Sequence, residues 1–175
     1  TANFNTAIGN AVLFNSTASY NTGVGYNALY ANTTGHDATA VGFEALKSNT
    51  TGLYNTACGF QALETNTTGE RNTAVGRNSL NANTGSYNTG MGMNSLESNS
   101  SGNRNTGIGC RASVSNQSGG DNTAVGNDAL FANTASDNTA VGSLALTANT
   151  TGTDNTGVGY GALQANTTAS KNTAI

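Results

Sequence analysis

The chain has 175 residues, 6 Lys and Arg against 9 Asp and Glu for a net charge of −3, 35% hydrophobic residues, 23 Gly, no Pro and no Trp. So few cations, scattered singly, offer no basic stripe to neutralise phosphates, which excludes nucleic acid as a partner. No apolar run approaches the roughly 20 residues needed to span a bilayer, and Thr1-Ala2-Asn3-Phe4 leads directly into a repeat, so membrane insertion is excluded and any targeting signal lies outside this segment.

Low charge also separates the chain from disordered polymers, which combine thin hydrophobicity with strong self-repulsion. Abundant Asn, Thr and Gly point instead to repetitive β structure, in which backbone hydrogen bonds and ladders of like side chains supplement a thin core. The repeat is plain. A unit opening on Asn-Thr-Ala/Gly-Val-Gly begins at Asn5 and recurs at Asn21, Ala38, Asn55, Asn72, Asn88, Asn105, Asn122, Asn138, Asn155 and Asn172. Seven intervals are 17 residues and three are 16; ten complete units fill 5–171, with partial units at both ends. Residues 1–175 form one repeat array, with no atypical capping unit at either end, so a segment of a longer fibre or of an end-to-end filament is expected.

The first element of each unit is a short strand. Its second position is Thr in all eleven copies, and its fourth is apolar throughout, from Ile8 and Val24 to Cys58, Met91 and Ile175. Alternate strand residues share a face, so Thr and Val point one way while Asn and Ala/Gly point the other. The expected core takes the Thr/Val side: Thr22, Val24, Val41, Cys58, Val75, Val125, Val141 and Val158. Gly follows each strand, at Gly25, Gly42, Gly59, Gly76, Gly92, Gly109, Gly126, Gly142 and Gly159, which suits a positive-φ corner or a close backbone approach.

The second apolar anchor is Ala-Leu. Leu29, Leu46, Leu63, Leu80, Leu130, Leu146 and Leu163 complete the expected core, and Ser113, beside Val114, is the exception at this position. Asn-Thr-Thr-Gly or a variant then reads as an exposed turn. The units carrying Asn83-Thr84-Gly85-Ser86 and Asn133-Thr134-Ala135-Ser136 are one residue short there, whereas the first unit, with Phe14-Asn15, loses its residue just before the Asn.

Seventeen residues rich in Gly cannot supply the two helices of a helical solenoid repeat. The expected fold is therefore all-β, a parallel β-solenoid (β-roll or β-helix) of ten 16–17-residue coils. One Val, one Leu, one Thr and one or two Ala per coil make a meagre core against the ordering of 17 residues. The small Ala/Gly face therefore also meets something closely, and a trimer of coils around an axis is expected.

Asn-Thr-Ala-Val-Gly, recurring with Ala-Leu and Asn-Thr-Thr-Gly between copies, resembles repeats of phage tail-fibre and tail-spike-like proteins. It is also similar to the Ser-Val-Ala-Ile-Gly repeats of trimeric autotransporter adhesin heads, with Thr22-Gly23-Val24-Gly25 matching Val-Ala-Ile-Gly. The likeness covers the full chain but departs in its longer period and in lacking a recognisable stalk, anchor or chaperone segment. It implies trimeric left-handed parallel β-rolls in an extracellular or virion-surface fibre.

No constellation of catalytic residues accompanies the lone His36, and Asp37 beside it makes no catalytic pair, so no enzyme and no cofactor are expected. Acidic residues do not recur at one fixed repeat position, so no metal site is expected either. Cys58 and Cys110 stand three coils apart, about 14 Å along the axis, too far for a disulfide. Cys58 reads as a buried substitute for Val. Asn-x-Ser/Thr at Asn15, Asn32, Asn49, Asn66, Asn99, Asn116, Asn149 and Asn166 makes a row of candidate glycosylation acceptors in the expected turn. The Asn at the first position is expected to stack as an amide ladder, interrupted at Ala38.

Three functions fit: a rigid shaft or adhesin head presenting a tip for a cell-surface receptor or glycan, a self-assembling and glycan-coated extracellular filament, and an ice-binding solenoid. The inward Thr argues against the last.

Overall fold

A computed structural model describes residues 4–175. Its strands run β1 (Thr6–Asn10), β2 (Thr22–Tyr26), β3 (Thr39–Val41), β4 (Thr56–Cys58), β5 (Thr73–Val75), β6 (Thr89–Met91), β7 (Thr106–Ile108), β8 (Thr123–Val125), β9 (Thr139–Val141), β10 (Thr156–Val158) and β11 (Thr173–Ala174). They form one eleven-stranded parallel sheet in chain order. Register never slips: Thr pairs with Thr, Ala or Gly with Ala or Gly, and the apolar fourth position with its equivalent. The fold is a β-solenoid, each repeat one coil, here numbered 1 to 10 from the units beginning at Asn5 and ending at Asn155. At ~4.8 Å per paired strand, eleven strands span roughly 48 Å.

Hydrogen bonds between coils continue outside the sheet. Leu46 N donates to Ala62 O at 3.0 Å, Ser48 N to Glu64 O at 3.0 Å and Thr50 N to Thr67 O at 2.9 Å. Around almost the whole circumference, the backbone of one coil is thus satisfied by the next, as a stacked structure requires.

Two glycines show why the coil closes where it does. Gly42 has φ +138°, and a Cβ there would stand 2.3 Å from the carbonyl oxygen of Gly59. Gly52, in the turn, would drive a Cβ to 2.4 Å from Gly69 O and 2.5 Å from Asn49 Oδ1. The seventh, ninth and seventeenth positions are left-handed too, with side chains: Glu44 at φ +55°, Leu46 at +50° and Tyr54 at +58°. Positive φ is a serious outlier for β-branched residues. That explains why the ninth position carries Leu or Ser and never Val or Ile, although Val and Ile fill the fourth.

The core lies on the opposite side of the strand from the sequence expectation. Ala40, Ala57, Ala74, Ala124 and Ala140, at the third position, are fully buried, as are Leu29, Leu46, Leu63, Leu80, Leu130 and Leu146. Leu163 is half-buried. Val41 and Val141 are each 37% exposed. Cys58 is exposed, not a buried stand-in for Val. Thr22, Val24, Val75, Val125 and Val158 are half-buried on that same outer face.

The reason is room. Each coil turns its third position inward against Ala-Leu, and a Cβ added at Gly90 would already stand 2.5 Å from Ser79 Oγ and 3.1 Å from Leu80 Cγ. Only Ala or Gly fits opposite Leu, so the branched Thr and Val are turned out. What the small face meets closely is the inside of its own coil.

Candidate functional site

Two interior amide columns hold the coils together. At the first position, Asn72 N donates to Asn55 Oδ1 and Asn88 N to Asn72 Oδ1, both at 2.9 Å. The same side chains donate inward from Nδ2: Asn72 to Gly85 O at 2.9 Å and Asn88 to Gly102 O at 2.8 Å. The column is therefore an alternation of side-chain acceptor and backbone donor. Ala38 receives its bond, donating from N to Asn21 Oδ1 at 3.0 Å, but has no amide to pass on to Asn55.

The second column, at the twelfth position, joins side chain to side chain. Asn49 Nδ2 donates to Asn32 Oδ1 at 2.9 Å, Asn66 Nδ2 to Asn49 Oδ1 at 3.0 Å and Asn116 Nδ2 to Asn99 Oδ1 at 2.9 Å. Each also bonds the carbonyl three residues on, as Asn49 does with Gly52 at 3.1 Å. Asn32, Asn49, Asn66, Asn99, Asn116 and Asn149 are wholly buried. This overturns their reading as exposed glycan acceptors, because the nitrogen a glycan would take is the ladder's donor. Asn166, in the last complete coil, is half-buried, and Asn15 alone of the eight is exposed.

The short turns break this second column. Asn83 Nδ2 bonds Gly85 O, two residues on, and Asn133 Nδ2 bonds Ala135 O, leaving Asn66 Oδ1 and Asn116 Oδ1 buried without a partner. Coil 1 belongs to the same class, a correction to its expected deletion before Asn15. Ser16 takes the ladder position, accepting from Asn32 Nδ2 at 3.1 Å, and Ala18 O receives Asn5 Nδ2 at 2.7 Å as Gly35 O receives Asn21.

Outside, the sheet presents Thr and the apolar fourth position in unbroken rows. Tyr26, Phe43 and Phe60, two residues beyond, stack along the axis with ring centroids 5.2 and 5.1 Å apart. Tyr54, Arg71 and Tyr87, two residues before the Thr row, form a second stack, with the guanidinium 5.3 and 5.4 Å from the two rings. Ile8, Met91, Met93 and Ile108 are also exposed along this stripe.

Charges pair on the surface. Arg104 donates to both oxygens of Asp121 at 2.6 and 2.7 Å and holds that carboxyl below its ordinary range. Lys47 Nζ, 2.8 Å from Glu44 Oε1, lowers Glu44, with Gln61 donating to Oε2 at 3.0 Å. His36 Nδ1 lies 2.7 Å from Asp37 Oδ2, a contact that the sequence reading did not foresee. They border an open cleft of about 370 Å³ with Thr17, Ala18, Tyr20 and Thr34. Cys58 and Cys110 are both unpaired thiols.

Among the described residues no group of three or more His, Cys, Asp or Glu is placed to hold a metal ion, and no helix is long and apolar enough to cross a membrane. Comparison with protein-family models, curated proteins and solved structures gives no match.

Proposed function

We propose that this chain is the rigid shaft of an extracellular or virion-surface fibre, assembled from several copies, three in the simplest case, through the outer Thr/Val face. One observation carries the reading: an apolar row, with Ile8 60%, Met91 42% and Ile108 39% exposed, runs the length of the sheet and is flanked at β2 to β4 by stacked aromatic rings. The face is on the order of 700 Å². That approaches the roughly 800 Å² that each partner buries in a standard interface. Copies of the same rod match its period at every coil. The resemblance to trimeric fibre repeats supports the location and the number of chains.

A second reading is favoured by the outward Thr row, since regularly spaced Thr on a flat sheet is what an ice-binding face needs. Its companion row varies from Cys58 to Met91, and bulky rings border it, which breaks the flatness that a crystal plane requires.

Light scattering on wild type and on the Val41→Asp/Val141→Asp double variant separates the two. The fibre reading expects a multiple of 17.5 kDa that falls to 17.5 kDa in a still-folded variant. A monodisperse wild-type monomer that lowers the freezing point non-colligatively would replace it with ice binding.

A further inference from the structure

The interior changes character once along the rod. Buried apolar side chains from Ala28 to Leu96 form one continuous cluster, and those from Ala112 to Leu146 form another. The gap falls at the entry to coil 7, residues 105–121, of which only Ala112 joins the second cluster. Its third position is Gly107, which supplies no methyl, and its ninth is Ser113, where every other complete coil has Leu. Ser113 is 1% exposed and its Oγ has no hydrogen-bond partner.

The polar scaffold fails at the same level. Asn116 Oδ1, in this coil, loses its ladder partner to the short turn at Asn133. One coil on, Asp128 is 8% exposed; its Oδ2 takes Arg111 at 2.7 Å, but its Oδ1 is buried without a partner. Coils 4 and 5 also hold unpartnered atoms, at Asn66, Asn78 and Ser79, yet Leu63 and Leu80 there stay within one apolar cluster. Only at coil 7 do a gap in the apolar column and a break in the amide column coincide. Each buried polar group without a partner forfeits its hydration and gains nothing in return.

We infer that the rod is built as two cooperative blocks, coils 2–6 and coils 8–10, joined by a soft coil 7 that opens before either. A repeat array is stabilised by each unit and its interfaces with its neighbours, so a single weak unit divides it. The division lies within each chain and does not depend on whether copies cover the outer face. It gives a fibre a defined place to yield under load.

Native-state hydrogen exchange of the whole chain tests it. The amides of Leu96 and Ser113, which donate to Ala112 O and Ala129 O, are expected to exchange about tenfold or more faster than those of Leu46 and Leu130. Ser113→Leu, at a backbone that already has the φ of the Leu positions (+51°), is expected to remove that difference. Leu63→Ser is expected to create a second fast level at coil 4; should that variant fail to fold, Ser113→Leu still decides. Protection at Ser113 equal to that at Leu46, or a Ser113→Leu variant with unchanged local exchange, would overturn the division.

Discussion

Asn49 Nδ2 donates to Asn32 Oδ1 across one coil at 2.9 Å, and neither side chain has any solvent exposure. The pair carries the logic of the interior. A carboxamide is both donor and acceptor, so one buried side chain can serve the coil before it and its own turn, and a column of them leaves little polar capacity unused. A narrow coil cannot hold a large apolar core, and the amide columns take over much of its work.

Removing one rung should therefore be costly. Asn49→Ala strands Asn32 Oδ1 and removes the bond to Gly52 O, so a loss of roughly 2–4 kcal/mol is expected in chemical denaturation. Asn15→Ala, at an exposed site outside the column, should change stability by less than about 0.5 kcal/mol. Mass spectrometry should find Asn49 unmodified.

The short turns permit a test by addition. Inserting one Thr between Thr84 and Gly85 restores the 17-residue spacing and lets Asn83 reach Asn66 Oδ1. A gain of about 1 kcal/mol is expected. An unchanged denaturation midpoint would mean that the turn's length does not set the ladder.

The two apolar rows should respond in opposite ways. Leu146→Ala empties the interior and should cost about 2–5 kcal/mol, whereas Val141→Ala, on the outer face, should leave the stability of a single chain nearly unchanged. Leu146→Ile keeps the volume but places a β-branched residue at φ +50°, so a loss of about 1–3 kcal/mol is expected without any cavity.

The repeat, its parallel stacking and the short units are legible in the sequence because a period survives any local ambiguity. The alternation of the strand is legible as well, but which face is inside is not given by alternation. Val and Thr look like core because branched apolar residues usually are. The deciding signal was the restriction of the third position to Ala and Gly, a limit on size that an outer face would not impose. Asn at the twelfth position reads as turn chemistry because Asn-Thr-Thr-Gly is polar throughout. Its recurrence in coils 2–10, while Thr34 varies to Ser101 and Ser118 and the Gly after it to Ala135 and Ala169, is the available sign of a buried role.

Acid should affect this rod little. The amide columns contain no ionisable group, and Glu44 and Asp121, the carboxylates that a basic partner holds low, lie outside the columns. Glu44, lowered chiefly by its bond from Lys47, adds stability above the ordinary carboxylate range, and this is lost as pH falls through its lowered folded value. Surface pairs of this kind contribute less than about 1 kcal/mol. Circular dichroism on acidification should show a small drop in melting temperature, largely absent in Glu44→Gln, and no early loss of β structure.

Cys58 offers the most direct view of whether the outer face is covered. It stands in the apolar row of β4, and in a Cys110→Ser background it is the sole thiol. Its rate of reaction with a thiol reagent should be measured on the folded protein across a range of concentrations. Assembly through the Thr/Val face predicts a Cys58 protected at high concentration and increasingly reactive on dilution, with β structure unchanged. Rapid, complete modification at every concentration would contradict it, leaving a rod whose apolar face is bare.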